Sequence, residues 1–515
     1  MRIEIRVDRV VPRRWHLALK EAIEAASAGA AVRFTPTEGA ATLPGPVTAL
    51  IALERLVVHR SRPTLCDMVT LDGALLADSD FRPDAVIDCS GAAAPAGGGS
   101  ASLAMRPLYD GDPSEAGLVA AILAGAMPEI AIENLASGEI LATGQPSSEA
   151  AQGLIGGIVS AVTRVVALVE QILLSPRGTL VATPGQAVGR QPKSPAAFAL
   201  RNLVRDCTRA IYHLCFYSPH WRIGWRWHDG PGVAERGDLG GPAWQVLRDP
   251  GRRFFADPFP VTWNGRTVVF FEDLDHKVGK GVISAVELGP EGPLGEVVTV
   301  LEEPWHMSYP FVMEHDGALW MVPESSLSGT VPLYRCVDFP HRWERVGTIA
   351  EGIEAADCTI FPHDGRLWMM GAVRPGHGGY SDILAIYHAS SLLGPWQQHD
   401  RRPVLVDVAA ARPAGAVVAR NGALLRPVQD CTLGYGRVLA LARIDRLTTS
   451  DFAQTILHRI APGPLWPGKR LHTLNRCGPL ECIDGTTYNP RLGSFRAMAD
   501  ARMVPAREPG RLATA

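Results

Sequence analysis

Two textures of apolar and polar positions divide the chain. Over residues 1 to about 175, strand-like and helix-like stretches alternate. RIEIRV, from Arg2, is apolar at every second position, as a strand with one buried face is. Trp15 to Ala28 has helical spacing, AAVRFTP predicts a second strand, and AVIDCS a buried one. IAIENL followed by EILATG predicts a hairpin. This alternation predicts a Rossmann-like α/β layer. Ile155, Ile158, Val159, Val162, Val166, Val169 and Leu173 recur at helical spacing within an apolar run from Gly153 to Leu174. Arg164 in its middle and Glu170 near its end are costly at bilayer depth, so a buried helix is expected and no membrane span.

From Arg177 to Pro195 the chain is rich in Gly, Pro and Gln and reads as a linker, followed by a helix from Phe198 to Phe216. Past Phe254, short β runs are divided by tight turns: TWNGRTVVFFED, EHDGALWMVPES, PHDGRLWMMGAV, ARNGALLRPVQD and NRCGPLECIDG. Asn-Gly and Asp-Gly supply the positive φ angles of a two-residue hairpin turn. A polar group marks each repeat, at Asp257, Ser308 with Tyr309, Asp357, Arg412 and His472, with spacings of 51, 49, 55 and 60 residues. A four-stranded unit repeating about every 50 residues predicts propeller blades. The expected organisation is an α/β domain over 1–175, linker and helix over 176–217, a five-bladed β-propeller over 218–490 and a tail over 491–515. HWRIGWRW, near residue 220, is the candidate closing strand.

In a propeller the innermost strand of each blade starts on one face, and its antiparallel neighbour ends there. Strand starts would bring together Asp257, Ser308, Tyr309, Asp357, Arg412 and His472. Strand ends would add Glu272, Asp273, Glu324, Arg426, Gln429 and Asp430. Carboxylates accept hydrogen bonds from hydroxyls, aromatic faces stack on sugar rings and cations take phosphate or carboxylate, so the set suits a carbohydrate or glycoconjugate. Against this, Asp before Pro often starts a turn, and Pro-Glu-Ser can end a hairpin with a solvated glutamate.

Composition narrows the field. Hydrophobic residues are 46% and charged residues 20%, as in a soluble globular protein. A net charge of −3 leaves no basic field for a nucleic-acid partner. Nine scattered cysteines without a CxxC pair predict reduced thiols, a cytoplasmic setting and no cysteine metal site. GGGS near residue 100 does not complete GxGxxG and reads as a loop.

FADPFPV, SYPFV, VPESS, LYRCVDFPHRWE, ADCTIF, RPVQDCTLGYGRVLAL and LHTLN, over about residues 218–490, resemble the N-terminal-type domain of glucosamine inositolphosphorylceramide transferases. That domain is similar to the five-bladed propellers of furanosidases. The resemblance implies Asp257 as base or nucleophile, Asp357 as the substrate-orienting or acid carboxylate, and Glu324 as proton donor. Ser308 and Tyr309 stand where those hydrolases carry an Asp. The resemblance implies no cofactor beyond a calcium near His472. MRPLYDG, AIENL and GEILATG make residues 1–175 resemble a degenerate formyltransferase-like domain.

Three readings follow. The first is a glycosidase or transglycosidase, whose two carboxyl groups would lie about 5–5.5 Å apart for retention or 6.5–9.5 Å for inversion. The second is a non-hydrolytic glycan-binding or scaffolding module, and the third a formyl or acyl transferase acting on an amino sugar.

Overall fold

A computed structural model describes residues 1–39, 42–92, 101–174, 193–420 and 422–506. Contacts divide the chain into two compact units. The first is Met1–Asp206 with Gly376–Asp382 and Asp400–Asp407; the second is Cys207–Pro375, Ile383–His399 and Val408–Ala515. The GGGS stretch and most of the Arg177–Pro195 linker lie outside the described residues.

The first unit runs β1 (Arg2–Asp8), α1 (Arg14–Ala26), β2 (Ala31–Thr37), α2 (Gly45–Val57), β3 (Ala85–Cys89), β4 (Leu103–Tyr109), α3 (Glu115–Ala124), β5 (Ile130–Asn134), β6 (Ile140–Gly144) and α4 (Gly153–Leu174), before α5 (Pro195–Cys215). Its sheet has the order β2-β1-β3-β4-β5-β6. β1 to β4 pair in parallel, β5 runs antiparallel to β4, and β6 antiparallel to β5. The expected Rossmann-like layer is therefore found as a mixed sheet. Only a short turn joins β5 to β6, too few residues for the crossover that a parallel pair needs.

Alternation in β1 buries Ile3, Ile5 and Val7, and helical spacing in α1 buries Trp15, Leu19 and Ile23. α4 is long and apolar enough to cross a membrane by length and composition, yet most of its side chains are buried, against α1, α2, α3, β5 and β6. Arg164, within this helix, is buried and binds Asp382 through Nε (2.9 Å) and Nη2 (2.5 Å). At the N-terminal end of the helix, the buried Glu54 carboxylate accepts the Leu154 and Ile155 N–H groups, both at 2.9 Å, where backbone donors lack helical partners.

The second unit is a five-bladed β-propeller. Blade 1 opens with Arg253–Trp263 and Arg266–Asp275, blade 2 with Ser308–His315 and Ala318–Glu324, and blade 3 with Ala355–His363 and Arg366–Val373. Blade 4 opens with Val418–Arg420 and Ala423–Asp430, and blade 5 with Leu471–Cys477 and Leu480–Thr486. In the first three blades the hairpin turn places Asn264, Asp316 and Asp364 at positive φ, each before a glycine also at positive φ, as the sequence predicts.

Blade 5 is completed from the other end of the propeller sequence. Trp221–Trp227 pairs antiparallel with its second strand, and Gln245–Leu247 adds the outer edge. Within this seam Arg226, 1% exposed, binds Glu481 through Nη2 (2.6 Å) and Nε (2.9 Å) and stacks over Trp244 at 4.0 Å. Removing one partner of such a buried pair leaves the other charge uncompensated. Glu481→Ala should therefore lower stability by about 3–5 kcal/mol, measured by urea unfolding, and Arg226→Met with Glu481→Leu should recover much of that loss.

Candidate active site

The site grows from a repeated irregularity. In blades 1, 2, 3 and 5 the first strand carries two residues opposite one, between Ala256 and Phe259, Ser308 and Phe311, Ala356 and Thr359, and Leu471 and Leu474. In the first three of these bulges, Asp257, Tyr309 and Asp357 stand at φ 52°, 42° and 54°. Asp tolerates this left-handed region through its short polar side chain, whereas Tyr309 is held there against its preference. Bulges re-aim side chains, and these send polar groups across to other blades.

Asp257 of blade 1 reaches blade 5. Its N–H donates to Asp484 Oδ2 (2.8 Å), and its Oδ1 accepts from Thr473 Oγ1 (2.8 Å) with His472 Nε2 at 3.7 Å. His472 Nδ1 lies 2.6 Å from Asp484 Oδ1, and Trp221 stacks on the imidazole at 3.8 Å. Asp357 of blade 3 accepts from Arg412 Nε (2.6 Å) and Gln429 Nε2 (2.9 Å) of blade 4. The Arg412 guanidinium also stands 3.7 Å from Glu324 of blade 2 and 4.6 Å from the centre of the Tyr435 ring. The Tyr309 hydroxyl lies 2.9 Å from Thr359 Oγ1 of blade 3.

Strand parity sorts the candidates. Successive residues of a strand point to opposite faces. Glu272 joins the axial acids, with His306 Nε2 at 3.4 Å, while its neighbour Asp273 is held by Arg253 Nε (2.7 Å) and Ser284 (2.9 Å). Gln429 reaches Asp357, but Asp430 binds Arg459 (2.8 Å). Arg426, on the same side of its strand as Asp430, donates to the Ala410 carbonyl and Gln454. Asp273, Arg426 and Asp430 thus tie strands together, away from the axial cluster. Ser308 is buried as the ladder partner of Glu324.

Burial, then repulsion from Asp484 and Asp357, outweighs the pull of His472 and lifts the Asp257 carboxyl to about 7. Burial and Glu324 lift Asp357 to about 7 despite Arg412. Burial with the surrounding acids drives Glu272 well above the ordinary carboxylate range. Burial alone would lower the His472 pKa, but Asp484 and Asp257 overturn this and raise it. The cluster can therefore both supply and accept protons near neutrality.

Asp257, His472 and Asp484 offer ligand atoms within 4.8 Å of one another, a geometry that could hold a metal ion. Calcium seeks six to eight oxygens. Here the Asp484 oxygens already accept from the Asp257 and Thr473 N–H groups and face His472 Nδ1, so hydrogen bonds satisfy much of the set.

Residues 248–477 match the family model described as glucosamine inositolphosphorylceramide transferase 1, N-terminal. Proteins of that name from Arabidopsis thaliana and Oryza sativa subsp. japonica are 32% and 30% identical over 205 residues. Each alignment covers 39% of this chain and 27% of the plant protein, so the chain spans about a quarter of its curated relatives' length. Among solved structures, the catalytic domain of Coprinopsis cinerea GH62 α-L-arabinofuranosidase is 13% identical with a TM-score of 0.36, over 50% of this chain and 85% of that one. A family 117 glycoside hydrolase from Zobellia galactanivorans is 12% identical with a TM-score of 0.34, over 52% and 90%.

The sequence reading missed Asp484, Thr473, Trp221, Tyr435 and His306. Asp484 stands opposite the blade 5 bulge, one place from the ladder position of Glu272 and Glu324. Its signal was the second acid of LECIDG, three residues after Glu481 and so on the other face of the strand.

Raised carboxyl pKa values mean that the folded chain keeps protons which the unfolded chain releases above about pH 4. The contribution of these groups to stability should fall as pH rises from about 4 to 7, by about 1 kcal/mol per pH unit for each group. Asp257→Asn should flatten that decline, read as a smaller drop in thermal midpoint between acid and neutral buffer than the parent shows.

Proposed function

We propose that the propeller unit acts on a sugar-bearing ligand at its axial cluster, as a glycosidase or transglycosidase. One observation carries this reading: buried carboxyl groups from three blades converge at the axis, Asp357 and Glu324 on the one Arg412 guanidinium (2.6 and 3.7 Å) and Asp257 on Thr473 and His472 (2.8 and 3.7 Å), with Glu272 beside them. Making or breaking a glycosidic bond needs one carboxylic acid to give a proton and one carboxylate to act as base or nucleophile. Asp257, hydrogen-bonded and facing His472, suits the base or nucleophile. Glu272, which burial and the neighbouring acids hold well above the ordinary carboxylate range, suits the donor better than Glu324, which faces Arg412. Asp357, fixed by Arg412 and Gln429, orients substrate. The names of the plant relatives point to an amino sugar or an inositol-phosphate glycolipid as first compounds to try.

A second reading, glycan binding without turnover, draws on blade 2. Its bulge holds Tyr309, not an acid, and the tyrosine hydroxyl is engaged with Thr359. A panel of aryl furanosides and pyranosides separates the two. Under the first reading Asp257→Asn and Glu272→Gln each lower kcat by about 10²–10⁴-fold. Glycan binding with no turnover in parent or variants would favour the second.

A further inference from the structure

An apolar and basic surface lies on the propeller face that bears the axial cluster. Second strands end on that face, so the turns into the third strands and the residues leading into Trp221 lie there too. Phe216–Tyr217 pairs with Asn489–Pro490, and the Arg491 N–H and Nε donate to the Cys215 and His213 carbonyls, both at 2.9 Å. This anchors the end of α5 beside residues 491–498. Ile211 (62% exposed) and Leu214 (76%) on α5, and Leu492 (66%) and Phe495 (54%) just past that pairing, are left exposed. Leu433 (79%), with Val278 and Leu327, projects from turns between second and third strands on the same face.

A group of cations lies beside the end of α5. Lys469 Nζ lies 5.5 Å from the Tyr212 ring centre and 5.2 Å from that of Tyr488, and its carbonyl accepts from Arg437 at 2.7 Å. Arg470 feels the repulsion of Arg437 and Arg209. The acid of α5, Asp206, already pairs with Arg205 at 3.2 Å. Along α5, Leu200, Leu203, Val204, Cys207, Ile211 and Leu214 share one arc at helical spacing, while Arg201, Arg205 and Arg209 fall on another.

We propose that this face of the propeller docks onto an anionic lipid surface, with Ile211, Leu214, Leu492 and Phe495 entering the headgroup boundary and Arg209, Arg437 and Lys469 meeting lipid phosphates. Apolar residues on one arc of a helix with arginines on another are the make-up of an interfacial helix. Charge chooses lipid over a second copy of this chain, since a twofold contact would set like charges against each other. Apolar tips spread over several turns also suit a fluid phase better than a shaped protein partner. The proposal is independent of whether the axial cluster turns over a sugar.

Flotation of the full chain with phosphatidylcholine vesicles, with and without phosphatidylglycerol, tests it. The chain should float with phosphatidylglycerol, and salt should weaken this by screening. Arg209→Gln with Lys469→Gln should cut partitioning about fivefold for each charge removed. Leu214→Ser with Phe495→Ser should cut it about tenfold or more. These are surface positions, and unchanged circular dichroism and melting confirm that the variants fold. Three results would overturn the proposal: no flotation of the folded parent, flotation of both variants equal to the parent's, or light scattering that shows a dimer which Leu214→Ser with Phe495→Ser disperses.

Discussion

The structure of the propeller unit depends on a local mismatch between strands. At the start of the innermost strand in four blades, two residues face one. A regular ladder would leave neighbouring blades to meet through apolar side chains alone. The mismatch instead carries Asp257 to blade 5, Tyr309 to blade 3 and Asp357 to blade 4. Each such bond joins two sheets that share no ladder of their own, so polar cross-ties and the electrostatics of the site have one origin.

Those ties set acids against one another in a place water scarcely reaches. Among the described residues of the cluster, one guanidinium, Arg412, and two imidazoles, His472 and His306, face five acids, Asp257, Glu272, Glu324, Asp357 and Asp484. Two charges of one sign at close range in a weakly polarisable interior cannot both persist cheaply, and the proton is the smallest cation available to relieve them. The surplus of acid over base therefore determines the chemistry more than any single residue does.

Much of this was legible in the sequence, and the failures have physical causes. The blades could be counted because their turns demand positive φ, which Asn-Gly and Asp-Gly advertise. Asp257, Asp357, Arg412 and His472 could be placed because repetition fixes where strands begin. What repetition does not give is the side of the strand, which a bulge resets by one residue. Reading both members of Glu272–Asp273 and Gln429–Asp430 as axial therefore swept in Asp273 and Asp430, and the same blur hid Asp484. In the first unit, local patterns named strands and helices well. The short turn between IAIENL and EILATG marks an antiparallel pair, but nothing local shows that β5 also runs antiparallel to β4 across α3, which makes the sheet mixed.

The seam in blade 5 bears on how the propeller can be divided. The span that matches the family model opens at residue 248 and closes at 477, whereas the strands that seal the ring are Trp221–Trp227, Gln245–Leu247 and Leu480–Thr486. A fragment cut to that span would keep Asp257 and His472 yet lose Asp484, the Trp221 ring and the Arg226–Glu481 clasp. It would present Leu471–Cys477 as a lone strand with unpaired backbone groups, open to annealing with other chains. The matched span and the closed ring thus have different borders in this molecule.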